Sequence, residues 1–164
     1  MGKELGIPEK LELLIPGFHG YKRKELIRED ELLVRRYMCE LLMRVKGEVR
    51  RLMMRALDGS LRGVDVSDLD MLWKRLDGLY SKLKNAPAGY AGLFDRIKVR
   101  ENELERLKKV DYEIVPRIEE LEGLIKKVGS DPNAMESVWA LLDELEALID
   151  ERVNMFSMEA PPEG

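Results

Sequence analysis

Between Leu104 and Val128 apolar side chains recur in alternating steps of three and four: Leu104, Leu107, then Ile114, Ile118, Leu121, Ile125 and Val128, with Asp111 in the one polar place. Such spacing keeps one face of a helix turned toward a partner helix and imposes left-handed supercoiling, so this stretch must fold as a helix packed against another helix. Asp111 reads as a residue that fixes register at some cost in stability, in preference to a proton-transfer carboxylate. Pro116 lies inside the pattern, where it removes a backbone hydrogen bond, and predicts a kink near Tyr112 to Val115. Gly129 ends the segment.

The same periodicity runs through the rest of the chain. A short helix is expected over Pro8 to Ile15, with Leu11, Leu14 and Ile15 on one face and Pro16-Gly17 closing it. Leu26, Leu33, Tyr37, Leu41, Val45, Val49, Leu52 and Ala56 predict one helix of about ten turns. Ser67 with Asp70 reads as a capping box opening a second long helix, whose stripe is Leu69, Leu72, Trp73, Leu76, Tyr80 and Leu83. Asp131-Pro132 starts the last one, with Met135, Val138, Leu142, Leu145, Ile149 and Val153. The expected fold is all-α: antiparallel hairpins of long helices forming a coiled-coil-like bundle of about four helices plus a short N-terminal helix. One domain is expected over 1–153, followed by a flexible C-terminal tail over 154–164 that contains Pro161, Pro162 and Gly164.

Composition agrees with that architecture. Hydrophobic residues make up 45% of the 164 and charged residues 37%, enough apolar material for one core in the proportions of long charged helices. Thr and Gln are absent, a bias that fits a thermophile's protein. The single Cys39 and the lack of an apolar N-terminal stretch point to the cytoplasm. No apolar run approaches the length of about 20 residues that a spanning helix needs, so integral membrane association is not expected.

Charge is divided between the halves: 12 Lys/Arg against 7 Asp/Glu over 21–62, and 8 against 17 over 99–164, within a net charge of -4. The simpler account is complementary helices packing on one another. The sharper one takes Arg28, Arg35, Arg36, Arg44, Arg50, Arg51 and Arg55, with Lys22, Arg23 and Lys24, as a stripe facing nucleic-acid phosphates or anionic lipid. Catalytic signatures are missing. His19 is the one histidine, Cys39 lies mid-helix as a structural thiol, and neither phosphate loops nor paired Cys-x-x-Cys motifs occur. No enzymatic activity, cofactor or metal is expected. Phe18, His19, Tyr21, Tyr90 and Phe94 sit in Gly-rich loops, where aromatics cap a bundle end or meet a partner.

Pro16-Gly17-x-x-Gly20-Tyr21, Arg28-Glu29-x-Glu31-Leu32-Leu33-x-Arg35, Gly89-Tyr90-x-Gly92-x-Phe94-Asp95-x-Ile97-Lys98 and Glu103-Leu104-x-Arg106-Leu107 together resemble an uncharacterised helical family of bacteria and archaea, over roughly positions 14 to 112. The resemblance implies a helical bundle and brings no activity, cofactor or catalytic residue with it. The leading functional expectation is a non-enzymatic interaction or scaffold protein that engages another helical protein or a second copy as a homodimer. Phe18, His19, Tyr21, Arg50, Arg51, Arg55, Tyr90 and Phe94 are its candidate interaction residues. The alternative is a nucleic-acid-associated protein using the Arg-rich first long helix.

Overall fold

Each apolar stripe becomes a helix; the first two long helices end at their breaker residues, and the helix through Pro116 ends at Lys126, three residues before Gly129. In the computed structural model, which describes residues 6–86, 101–131 and 133–157, the elements are α1 (Ile7–Leu14), a single 3-10 turn (Lys24–Leu26), α2 (Ile27–Leu57), α3 (Val66–Asn85), α4 (Glu101–Lys126) and α5 (Ala134–Ser157). The architecture is an all-α helical bundle. Pro8 sits at the start of α1, whose Leu11 is buried with Ile15 just beyond it, whereas Leu14 points outward at 51% exposure instead of joining that face. The cap of α3 is Asp65, whose carboxylate accepts from the Ser67 N–H at 2.9 Å, so the cap lies two residues before the expected Ser67. Asp131 does accept from the Asn133 N–H ahead of α5, at 2.9 Å. α4 runs through Pro116 without a break in its helical assignment, and α5 continues to Ser157, past the expected start of the tail at 154.

Two antiparallel hairpins, α2/α3 and α4/α5, lie side by side. The register between them is read from the ion pairs. Arg44 of α2 meets Glu122 of α4, while Arg75 of α3 meets Asp143 and Glu146 of α5 and Lys82 meets Asp150. Numbers rise together across the α3–α5 pairs, so α3 runs parallel to α5; with each hairpin antiparallel, α2 then runs parallel to α4, leaving α2 and α5 on one diagonal. Every one of these pairs joins a cation of the first hairpin to a carboxylate of the second, which is the complementary packing expected from the charge division. Arg44, Lys82 and their like are substantially exposed, and such pairs contribute little. Arg75→Ala is expected to lower stability by about 0.2–1 kcal/mol, with the difference shrinking in high salt; urea denaturation at two salt concentrations measures both.

One continuous apolar core runs along the bundle, from Leu11, Phe18 and Tyr21 at one end to Leu52, Leu61 and Val128 at the other. In the first turns of α2 the buried face is Ile27, Val34 and Met38, and the expected Leu26, Leu33 and Tyr37 sit at its half-buried edge. Leu79 joins the α3 stripe and Leu141 that of α5.

Candidate functional site

The start of α2, the end of α3, the first half of α4 and the end of α5 meet at one end of the bundle, under the loop that joins α1 to α2. That end holds most of the buried charge in the described protein: Asp30, Glu31, Arg35, Asp111 and Arg152 are each no more than 5% exposed. A strict reading of the seams explains their place. Ile27, Glu31, Val34, Met38 and Leu41 follow steps of four and three, as do Leu145, Ile149 and Arg152, so each of three helices brings one charged residue to a core position.

Arg152 is the centre. Its Nε donates to Asp111 Oδ1 at 2.6 Å, its Nη1 to Glu31 Oε1 at 3.0 Å across the diagonal, and its Nη2 lies 3.5 Å from Asp111 Oδ2. Glu31 Oε1 also accepts from Arg35 Nε at 2.8 Å, one helical turn on, and Arg35 Nη1 donates to the carbonyl of Ala86 at 2.8 Å. Two carboxylates and two guanidiniums thus neutralise one another out of water. Without such pairing each buried charge would cost several kcal/mol. Glu31 Oε2 has no hydrogen-bond partner.

The loop is tied into the same network. Tyr21 Oη donates to Asp111 Oδ2 at 2.5 Å, and its ring meets Phe18 edge to face, centroids 5.4 Å apart. Tyr21 also takes a left-handed backbone, φ 61°, after two glycines that do so freely, Gly17 at 85° and, directly before it, Gly20 at 66°. For a bulky residue that conformation costs about 1–3 kcal/mol. Asp30 holds it in place: one oxygen accepts the His19 N–H at 3.0 Å, the other the Tyr21 N–H at 2.9 Å.

Burial pushes the Asp111 carboxyl above its ordinary range; Arg152 and the Tyr21 hydroxyl pull the other way without cancelling it. Burial and the Asp111 charge push the Tyr21 hydroxyl well up, so it remains a donor. Burial opposes the charge on Arg152, but Asp111 and Glu31 outweigh it and the guanidinium stays protonated. Because the folded protein holds the Asp111 proton more tightly than the unfolded chain, Asp111's contribution is most favourable below the ordinary aspartate range. It weakens as pH rises through the raised folded value. Carboxyl NMR titration is expected to place the Asp111 midpoint above those of Asp58 and Asp65, which hydrogen bonds from Ser60 and Ser67 hold below the usual range. An Asp111 midpoint at or below theirs would contradict the desolvation account.

The sequence-derived candidates scatter. Phe18 and Tyr21 are buried and close the bundle end, so neither is presented to a partner, while His19 between them is exposed. Tyr90 and Phe94 lie outside the described residues. Arg50, Arg51 and Arg55 are exposed on α2, Arg51 paired to Glu48 and Arg50 above the Trp73 ring at 5.8 Å. Arg35 departs from the expected phosphate-facing stripe because its guanidinium is needed inside, against Glu31. Glu31 is interior for the same reason, and Asp30 is interior because its carboxylate accepts the His19 and Tyr21 N–H groups. Cys39 is half-buried, its thiol pushed up by burial, and with Met43 and Tyr80 it lines a surface depression of about 350 Å³. Among the described residues no group of His, Cys, Asp and Glu is arranged to hold a metal ion, and no helix is long and apolar enough to cross a membrane.

Comparison with family models, with curated proteins and with solved structures returned no match.

Proposed function

We propose that this chain is a non-enzymatic interaction or scaffold protein that works through the outer faces of its hairpins. The supporting observation is a division of labour among its residues. Asp111, Arg152, Glu31 and Tyr21, the groups best placed for chemistry, are consumed in holding one bundle end together. Met43, Met54 and Leu57 meanwhile stand 50%, 64% and 73% exposed on one long helix. Exposed apolar side chains grouped on one element, beside charged ones, are a feature of binding surfaces.

The reading includes self-association as a homodimer and a cytoplasmic setting, the latter supported by the single thiol. It also includes membership of the uncharacterised helical family, supported by the fact that Gly17, Gly20, Tyr21, Glu31 and Arg35 of the motifs build the bundle end. Light scattering on a sizing column at low and high salt, with affinity capture from the source cells, tests the functional reading. A dimer that survives high salt, or a captured partner, is the expected result. A strict monomer that recovers nothing would end it.

A second reading, nucleic-acid association, is favoured by the exposure of Arg36, Arg50, Arg51 and Arg55 along α2. It requires salt-sensitive binding, since contacts to phosphates release counterions. Binding that survives conversion of Arg50, Arg51 and Arg55 to Glu would reject it.

A further inference from the structure

We propose that the outward face of α2 seats an acidic amphipathic helix of another protein; this rests on the interaction reading above and names its surface and partner chemistry. α2 carries two seams. Opposite the buried one, Glu40, Met43, Gly47, Arg50, Met54 and Leu57 follow steps of three and four, and all are exposed. A seam with this period drifts by about 20° per heptad on a straight helix, so a partner must wind around it left-handedly, as in a coiled coil. Gly47 stands at its middle, and beyond its own chain neighbours and the local helix backbone no atom lies within 4 Å of where a Cβ would be. Nothing among the described residues requires glycine there, although a mid-helix glycine costs about 1 kcal/mol relative to alanine. A bare backbone between two flexible methionines is a place where another helix comes close.

The flanking charge selects the partner. With Arg51 and Glu48 paired to one another, Arg36, Arg50 and Arg55 still outnumber Glu40 on this face. A second copy docked by the same face would set arginines against arginines. The chain's own acidic helix is also a poor complement, because the exposed positions of α5 include Glu136, Ala140, Asp143, Glu144, Ala147 and Glu151, with no exposed large apolar side chain among its described residues. A foreign helix with apolar residues at a heptad spacing and carboxylates beside them satisfies both seam and rim.

Two designed helical peptides with one apolar seam, flanked by Glu in one and Lys in the other, are titrated by fluorescence anisotropy against the wild type and a Met43→Glu/Met54→Glu variant of verified helicity. The Glu-flanked peptide is expected to bind wild type at least tenfold tighter than the Lys-flanked one, weaken with salt, and lose at least tenfold affinity for the variant. Failure of the Glu-flanked peptide to bind, equal binding of the two peptides, or an unaffected variant would overturn the proposal. Photo-crosslinkers placed at positions 54 and 120 in source cells separate this proposal from the broader reading. Adducts at 54 agree with the proposed surface; adducts at 120 alone overturn the surface and leave an interaction protein; none at either overturns both.

Discussion

Arg152→Met is expected to destabilise the protein by about 3–5 kcal/mol, the largest effect of any single substitution considered, because it leaves Asp111 without its cation in a site closed to water. Glu31 loses one of its two arginines at the same time. The cost should come from the stranded carboxylate, not from the ion pair's own strength, and that distinction has a test. The triple variant Tyr21→Phe/Asp111→Leu/Arg152→Met removes donor, acceptor and cation together, leaves Glu31 paired with Arg35, and fills the space with carbon. It is expected to recover most of the loss and to approach or exceed wild-type stability. Denaturant midpoints and slopes for the three proteins decide the matter. A single variant within about 1 kcal/mol of wild type would mean that water reaches Asp111 and that the network is not desolvated.

What the sequence conveyed and what it withheld follow from the same periodicity. Helix existence was legible because steps of three and four survive single interruptions, and the partition of the four long helices into two hairpins followed from Gly and Pro at their ends. The charged core is not legible from apolar spacing, because in α2 and α5 it occupies positions that the apolar stripe skips. The α2 stripe was drawn through Leu33 and Tyr37, and that of α5 through Val153, although the strict step lands on Glu31 in one and Arg152 in the other. Asp111 is the sole polar entry of its seam, and a lone buried aspartate is a signal in itself: it calls for a cation or hydrogen-bond donors brought to it from elsewhere in the fold. Searching the other seams for one would have found Arg152. The diagonal pairing that brings Arg152 to Glu31 depends on how the hairpins lie side by side, which no local pattern encodes. The role of Asp30 was equally hidden, because its partners are backbone amides of a loop, and amides carry no residue identity.

That loop supports the second large prediction. Asp30→Ala is expected to cost about 2–4 kcal/mol: the buried Tyr21 N–H loses its acceptor, the His19 N–H loses its own, and nothing then opposes the strain of a tyrosine in the left-handed region. Asp30→Asn retains one carbonyl oxygen and should cost roughly half as much, which separates the acceptor's geometry from its charge. Amide hydrogen exchange reads the effect where it arises. His19 and Tyr21 should exchange faster in both variants, by at least tenfold in the alanine protein, while amides near Leu52 and Leu72 at the far end change only as global stability does. If the loop is a lid resting on an independently stable bundle, the two local amides will respond and the denaturation midpoint will not. The expected outcome is that both move together, because the Tyr21 hydroxyl ends on Asp111 and its displacement removes a donor from the network that joins α2, α4 and α5.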